Sequence, residues 1–287
     1  MLLSVLVTGL AIGALYASTA LAFNVMYSTS KVLSVATGHL CMLGGVFGAY
    51  FIQTLGLPII VGFVGALMVG VIAGYLMELI TVRRIINRSD EHLWLLSTLA
   101  LATMIQQSVA LWWGTEPRPF PRVIPQEFGA GMADQKYWLP VVALIVIAIG
   151  LELFYRLTMY GKVFIAVSED AFAARARGVP TNRIRAASYM IAGLIGALAG
   201  FAAGQLTFAY FALGHVLTLM GFIAIAVGGL GSNLGAVVGG LLLGVLSSLV
   251  SYWFGGEYQN TIAIGVLIII LIVRPEGLFG SKRVRHV

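Results

Sequence analysis

The sequence predicts an all-α, polytopic membrane protein of about eight transmembrane helices, one of them broken or re-entrant. Three observations carry that expectation. Of 287 residues, 60% are hydrophobic and 10% charged, where a soluble domain has about 45–50% and about 25%. Mean hydropathy is +0.98. So few charges cannot hydrate the surface of a globule, which excludes an ordinary soluble enzyme and a disordered chain together. Second, the apolar residues fall into runs of about 20, the length that crosses a bilayer. Third, the basic residues gather in the connectors between those runs. The whole chain, 1–287, is expected to form one transmembrane domain.

The runs lie near 2–27, 36–56, 58–80, 93–113, 138–156, 187–209 and 257–273. The first has no Lys or Arg before Lys31. It lacks the basic start and small-residue cleavage site of a signal peptide, and is expected to be a retained span. Arg83, Arg84 and Arg88 follow the third run. Arg156, Lys162, Arg175, Arg177, Arg183 and Arg185 follow the fifth, and Arg274, Lys282, Arg283 and Arg285 close the chain. The loop 114–137 instead balances Arg118, Arg122 and Lys136 against Glu116, Glu127 and Asp134. The positive-inside rule then puts the basic connectors in the cytoplasm, the N-terminus outside and the C-terminus inside. A net charge of +6 scattered in this way does not build the continuous basic stripe of a nucleic-acid-binding face.

Parity constrains the rest. With 187–209 leaving the cytoplasm and 257–273 returning, the segment 216–252 must begin and end outside. It is interrupted by the stretch Gly228 to Gly235, which holds Gly229 and Gly231. Two half-helices meeting at that break are expected, because non-helical backbone at membrane depth survives only within protein or along a wet cavity. The alternative is a plain cytoplasmic turn between two short spans. Aromatic residues such as Trp112, Trp113, Trp138 and Trp253 at outer ends, and Trp94, Tyr155 and Tyr189 at inner ends, suit headgroup anchors. Glycines recur four apart in Gly9/Gly13, Gly70/Gly74, Gly196/Gly200/Gly204 and Gly231/Gly235/Gly239. That spacing lets helix backbones approach, either within the chain or against a partner subunit.

A search for chemistry returns little. There is no G-x-x-x-x-G-K-[ST] segment for ATP, and no G-x-S-x-G elbow, since Ser232 directly follows Gly231. His39, His92, His215 and His286 have no metal-ligand spacing, and the single Cys41 cannot form an internal disulfide. No catalytic residue, metal or cofactor is expected in this chain. Glu78 and Glu152 fall near inner span ends and Glu257 near an outer one, which argues against an embedded ion-coupling carboxylate. Uncharged polar groups in or beside the apolar runs are the candidates for lining a passage: Asn24, Thr37, His39, Gln205, Ser232 and Asn233. Each has a commoner reading as an interhelical hydrogen bond.

The longest basic connector, 157–186, holds the most informative soluble stretch. Residues 168–178 predict a short helix, with Ser168 as its cap and Glu169 and Asp170 in its first turn. Ala171, Phe172 and Ala174 follow, then Arg175 and Arg177 in its last turn, with Gly178 and Pro180 ending it. A helix this short needs something to pack on, either its own protein or a cytoplasmic partner.

With that connector in view, the sequence resembles the permease subunits of branched-chain amino acid type ABC importers. Tyr16-Ala17 through Gly38-His39-Leu40-Cys41-Met42-Leu43-Gly44-Gly45 is similar to that family's first two spans. The stretch from Ser168 to Val179 looks like its coupling loop. The glycine-rich run from Ala226 to Gly244 and the ending Arg274-Pro275-Glu276-Gly277-Leu278-Phe279-Gly280 complete the likeness. The resemblance implies a second homologous permease subunit and two ATPase subunits that carry ATP and magnesium. It also implies an extracytoplasmic solute-binding protein and a place in the inner membrane of a prokaryote. On it, Glu169, Asp170, Ala171, Ala174, Arg175, Arg177 and Gly178 couple to the ATPase. Where branched-chain members read close to N-F-A-H-G-E/D, this chain reads Ser34-Val35-Ala36-Thr37-Gly38-His39, so a related solute also fits. Gly38-His39 and Gly214-His215 open similar stretches, in the manner of inverted repeats. The competing function is a self-contained channel or ion-coupled carrier.

Overall fold

The computed structural model describes residues 2–85, 93–123, 134–274 and 276–280. Expectations resting on Arg88, His92, Glu127, Pro275, Lys282, Arg283, Arg285 and His286 lie outside the described residues. The helices in order are α1 (Leu2–Ser30), α2 (Thr37–Ala49), α3 (Ile59–Met77), α4 (Arg83–Ile85), α5 (Leu93–Trp113), α6 (Gln135–Leu157), α7 (Met159–Glu169), α8 (Ala171–Ala176), α9 (Thr181–Thr207), α10 (Leu213–Gly228), α11 (Asn233–Phe254) and α12 (Gln259–Val273). Helices α2 and α3 each run on into a wider π-helical turn, Tyr50–Thr54 and Glu78–Val82. Among the described residues seven helices are long and apolar enough to cross a membrane, and α10 is apolar but shorter. The protein is a multi-pass, all-α membrane protein.

Two long helices, α1 and α9, form the centre. Two thirds of the apolar stretch of each is buried within the protein, against 6% for α12 at the periphery. The glycines explain how the helices come together. In lipid, close backbone packing replaces the hydrophobic drive between helices. Gly9 and Gly13 lie against the backbone of α11 at Val245 and Leu241, and Gly240 and Gly244 return the contact at Ala17 and Gly13. Gly70 and Gly74 of α3 face Gly193 and Tyr189 of α9. A Cβ placed on Gly200 would stand 1.8 Å from the Cys41 carbonyl oxygen, so α2 and α9 cross at backbone distance. The recurring glycines serve packing within the chain. Tyr189, expected at headgroup level, is fully buried with its hydroxyl against Ser30 Oγ. Trp113 is buried as well, with Arg118 stacked on its ring.

The segments α1–α2–α3 and α9–α10–α11 repeat one pattern. Each long helix ends on a residue in the left-handed region, Lys31 (φ 57°) or Phe208 (φ 59°). A short non-helical stretch follows, then an alanine (Ala36 φ −86°, ψ 2°; Ala212 φ −85°, ψ −6°), then the short helix. Thr29 and Ser30 at the end of α1 meet Ser188 and Tyr189 near the start of α9, so the two units run in opposite senses. The short helices meet where Gly38 abuts Thr218 and Gly214 abuts His39. The likeness of Gly38-His39 to Gly214-His215 therefore marks equivalent positions of an inverted repeat.

This geometry moves the helix break. Cys41, in the second turn of α2, sits beside Thr19 (Sγ···Oγ1 3.4 Å). Thr19 lies eleven residues before α1 ends at Ser30, about 16 Å along the axis. Helix α2 thus begins deep in the bundle, and the non-helical stretches 31–36 and 208–212 carry the chain from the ends of the long helices to the starts of the short ones. The glycine stretch 228–235 is instead a tight turn. Gly229 (φ 106°) and Gly231 (φ 92°) make it, and Val227 and Gly228 accept 2.9 Å hydrogen bonds from Leu278 and Phe279 just after α12. That contact fixes the turn at the end of the bundle. The expected pair of half-helices is replaced by a 16-residue α10 and a full-length, 22-residue α11. The densest glycines do not break a helix at depth: Gly228 and Gly235 bring the two helices to backbone contact on either side of the turn.

Candidate functional site

One end of the bundle gathers Lys31, Arg83, Arg84, Arg156 and the α7–α8 segment. Helix α7 opens with Thr158, whose hydroxyl accepts from Gly161 N (2.9 Å), and closes at the exposed Glu169. Asp170 then caps α8, one carboxylate oxygen accepting from Phe172 N (2.8 Å) and Ala173 N (2.9 Å). The single helix expected over 168–178 is thus two, bent at Asp170 (φ −147°, ψ 100°). Ser168 is not the cap: its hydroxyl donates to the Ile165 carbonyl (2.7 Å). Glu169 belongs to the end of α7 rather than the first turn of α8. Asp170 wins because its carboxylate satisfies two of the helix's orphan N–H groups at once.

Helix α8 stands out from the bundle. Ala174 alone is buried, against Phe164, Val167 and Ile184, while Ala171 is exposed. Phe172 is 83% exposed. Arg175 donates from Nε and Nη2 to Thr181 Oγ1 (3.3 and 3.1 Å), which ties α8 to the first residue of α9. Arg177 is exposed, and Gly178 takes a left-handed φ of 85° to end the segment. Lys31 Nζ donates to the Ser168 carbonyl (2.8 Å), joining the platform to the end of α1. The result is a rigidly footed short helix presenting an apolar ring between an acidic and a basic flank.

The expected passage-lining residues fall in three places. Asn24 of α1, 4% exposed, donates to Asn233 Oδ1 and accepts from Gly231 N (2.9 Å). Ser232 caps α11 by accepting from Gly235 N (3.0 Å). Asn24, Gly231 and Asn233 border a cavity of about 330 Å³ shared with Glu152 and Tyr155; Glu152 is ion-paired to Arg156. Asn24, Ser232 and Asn233 are brought together, and their bonds clamp the glycine turn to α1. Gln205 is at the opposite end, donating to the Pro121 carbonyl (3.0 Å). Thr37 and His39 stand at depth, where α2 meets α10. Thr37 donates to the Ser34 carbonyl (2.7 Å), and Thr218 Oγ1 accepts from Gly38 N (3.1 Å) while donating to the Val35 carbonyl (3.0 Å). His39 is fully buried with neither ring nitrogen hydrogen-bonded. The His215 ring lies edge-on at 6.0 Å.

One functional pairing was not foreseen. Arg185, in the second turn of α9, donates from Nε (3.0 Å) and Nη2 (2.9 Å) to Glu78 Oε1 in the π-helical turn after α3. Both residues had been placed near the inner end, but 107 positions separate them. Among the described residues no group of three or more His, Cys, Asp or Glu is placed to hold a metal ion.

The family described as branched-chain amino acid transport system / permease component matches residues 5–271. The chain is 26% identical to the high-affinity branched-chain amino acid transport system permease protein LivH of Escherichia coli (strain K12), over 97% of this chain and 96% of the relative. It is 27% identical to the corresponding permease protein BraD of Pseudomonas aeruginosa, over 98% and 97%. Over 53% of this chain and 44% of the relative, it is 32% identical to the fructose import permease protein FrcC of Rhizobium meliloti. The fold is similar to that of PsaBC from Streptococcus pneumoniae in complex with Fab, with a TM-score of 0.55 over 96% of this chain and 92% of that chain, at 13% identity.

Proposed function

The chain belongs to the branched-chain amino acid transport permease family, and from that premise we propose that it forms half of the solute passage of an ABC importer. A second, homologous permease subunit supplies the other half. Two ATPase subunits bind and hydrolyse ATP with magnesium, and an extracytoplasmic binding protein delivers the solute. The solute is a branched-chain amino acid or a related small amphipathic molecule. The basic end faces the cytoplasm of a prokaryotic inner membrane, so the N-terminus lies outside and the C-terminus inside.

The observation that carries the coupling role is α8, with Phe172 83% exposed on a helix anchored at both ends. A large apolar ring held in water is a docking element. Phe172 enters a cleft on an ATPase subunit, flanked by Glu169 and Asp170 on one side and Arg175 and Arg177 on the other. Ala171 and Ala174 keep the helix narrow, and Gly178 lets the chain turn back. Movement of α8 passes through Arg175 and Thr181 into α9, and through Arg185 and Glu78 into α3. Thr37 and His39 sit beside the passage; Asn24, Ser232, Asn233 and Gln205 hold its ends in register.

A photoreactive phenylalanine analogue at position 172 tests this reading in membranes containing the whole importer. Ultraviolet light is expected to link it to the ATPase subunit, and the same analogue at Leu111, 90% exposed on α5, is expected to give no such product. Equal products from both positions, or none from 172, would rule out α8 as the docking element.

A further inference from the structure

His215 is out of place for a lipid-facing residue. Helix α10 begins beside Gly38 and His39, deep in the bundle, and His215 is exposed there on the same face as Val216 and Leu219, both also exposed. Among the described residues its ring makes no hydrogen bond, and its one ring contact is the edge-on His39. An imidazole facing hydrocarbon at this depth is costly, and ionisable residues at such positions face water or protein.

A cavity of about 620 Å³ lies against this face. Phe23, Trp94, Leu219 and Phe222 make its walls apolar, and Ser34, His215 and Thr218 supply the polar groups among its lining residues. Thr218 is committed to Gly38 N and the Val35 carbonyl, and Ser34 Oγ accepts from Ala36 N. Ser34 and Thr218 are both buried, so His215 is the exposed polar side chain of the lining and the one placed to meet a ligand. Two helices begin here, α2 and α10, and their N-termini add partial positive charge. Broken helices whose N-termini face a mid-membrane site favour anionic groups on a solute. The buried, unbonded nitrogens of His39 stand directly behind.

Resting on the reading of the chain as an importer permease, we propose that this cavity is its share of the solute site. His215 hydrogen-bonds the carboxylate of the solute, while Phe23, Trp94 and Phe222 hold its apolar body. The open side of the cavity faces the second permease subunit rather than lipid.

Cysteine labelling and uptake test this with leucine as the probe. The one native cysteine, Cys41, is fully buried and needs no removal. In membranes holding the whole importer, Leu219→Cys is expected to react with a charged, membrane-impermeant thiol reagent, and excess leucine to slow that reaction. Met104→Cys, 66% exposed midway along α5, is expected to stay unlabelled. His215→Leu is expected to lower leucine uptake about tenfold or more, with assembly of the importer retained, and His215→Gln to keep most of it. Leu219→Cys as inert as Met104→Cys would overturn the proposal, and so would wild-type uptake by His215→Leu. Wild-type importer without ATP-driven uptake of leucine or of any related amphipathic solute would refute the permease reading instead, since the protection of Leu219→Cys by leucine is read independently of transport.

Discussion

Arg185→Ala is the perturbation whose cost follows most directly from the structure. Arg185 and Glu78 are 6% and 1% exposed, and two guanidinium nitrogens reach one carboxylate oxygen at 2.9 and 3.0 Å. Removing the arginine strands a carboxylate with no water to solvate it. Breaking a buried pair costs about 3–5 kcal/mol, and at about 2–4 °C per kcal/mol for a chain approaching this size the melting temperature drops by about 6–20 °C. The assay is thermal unfolding of the detergent-solubilised protein, followed by the monodisperse fraction after heating. Glu78→Gln keeps an acceptor for the guanidinium and falls between wild type and Arg185→Ala. The double change Glu78→Leu with Arg185→Leu removes both charges and recovers most of the loss, because well-packed apolar residues replace such pairs at little cost. Arg185→Ala melting within about 2 °C of wild type, less than the smallest shift worked above, would refute the reasoning. So would a double variant no better than the single one.

Other expectations follow from the same geometry. Gly193→Ala drives a methyl to within 2.0 Å of the Gly70 carbonyl oxygen, whereas a Cβ at Gly265 meets nothing within 4 Å; the first lowers thermal stability by about 1–3 kcal/mol and Gly265→Ala leaves the melt unchanged. Asp170→Ala removes the α8 cap and, with no change in melting of the membrane helices, reduces solute uptake per ATP hydrolysed, while Asp170→Asn, which still caps, retains most of it. Asn24→Leu removes both of the bonds from α1 to the glycine turn, and raises proteolytic cleavage at 229–232 relative to wild type.

The membrane-crossing pattern was legible because an apolar run of about 20 residues has one use. The runs at 58–80, 93–113, 138–156 and 257–273 each became a helix within a few residues. The run at 36–56 shows the limit: it is apolar throughout, yet its helix starts at depth because Gly38 and Gly214 admit α10 to backbone contact. Apolarity counts residues; it does not say at what height a neighbour crosses. Glycines were likewise recognised as contact points, but which helix each one meets is set by the tertiary fold. In the connector, Ser168, Glu169 and Asp170 can all accept hydrogen bonds, and the expected cap at Ser168 fell two positions before the actual one at Asp170. Glu78 and Arg185 were both noticed, and only the inverted arrangement of α1–α3 and α9–α11 brings them together.

The central claim is that this chain passes solute only as part of an ATP-driven assembly. Uptake of radiolabelled leucine into proteoliposomes tests it, with the chain alone and then with its second permease, ATPase subunits and binding protein. The account predicts no uptake by the chain alone, and uptake by the assembly that requires ATP and is lost when Phe172 is replaced by alanine. Uptake by the chain alone, indifferent to ATP, would contradict it.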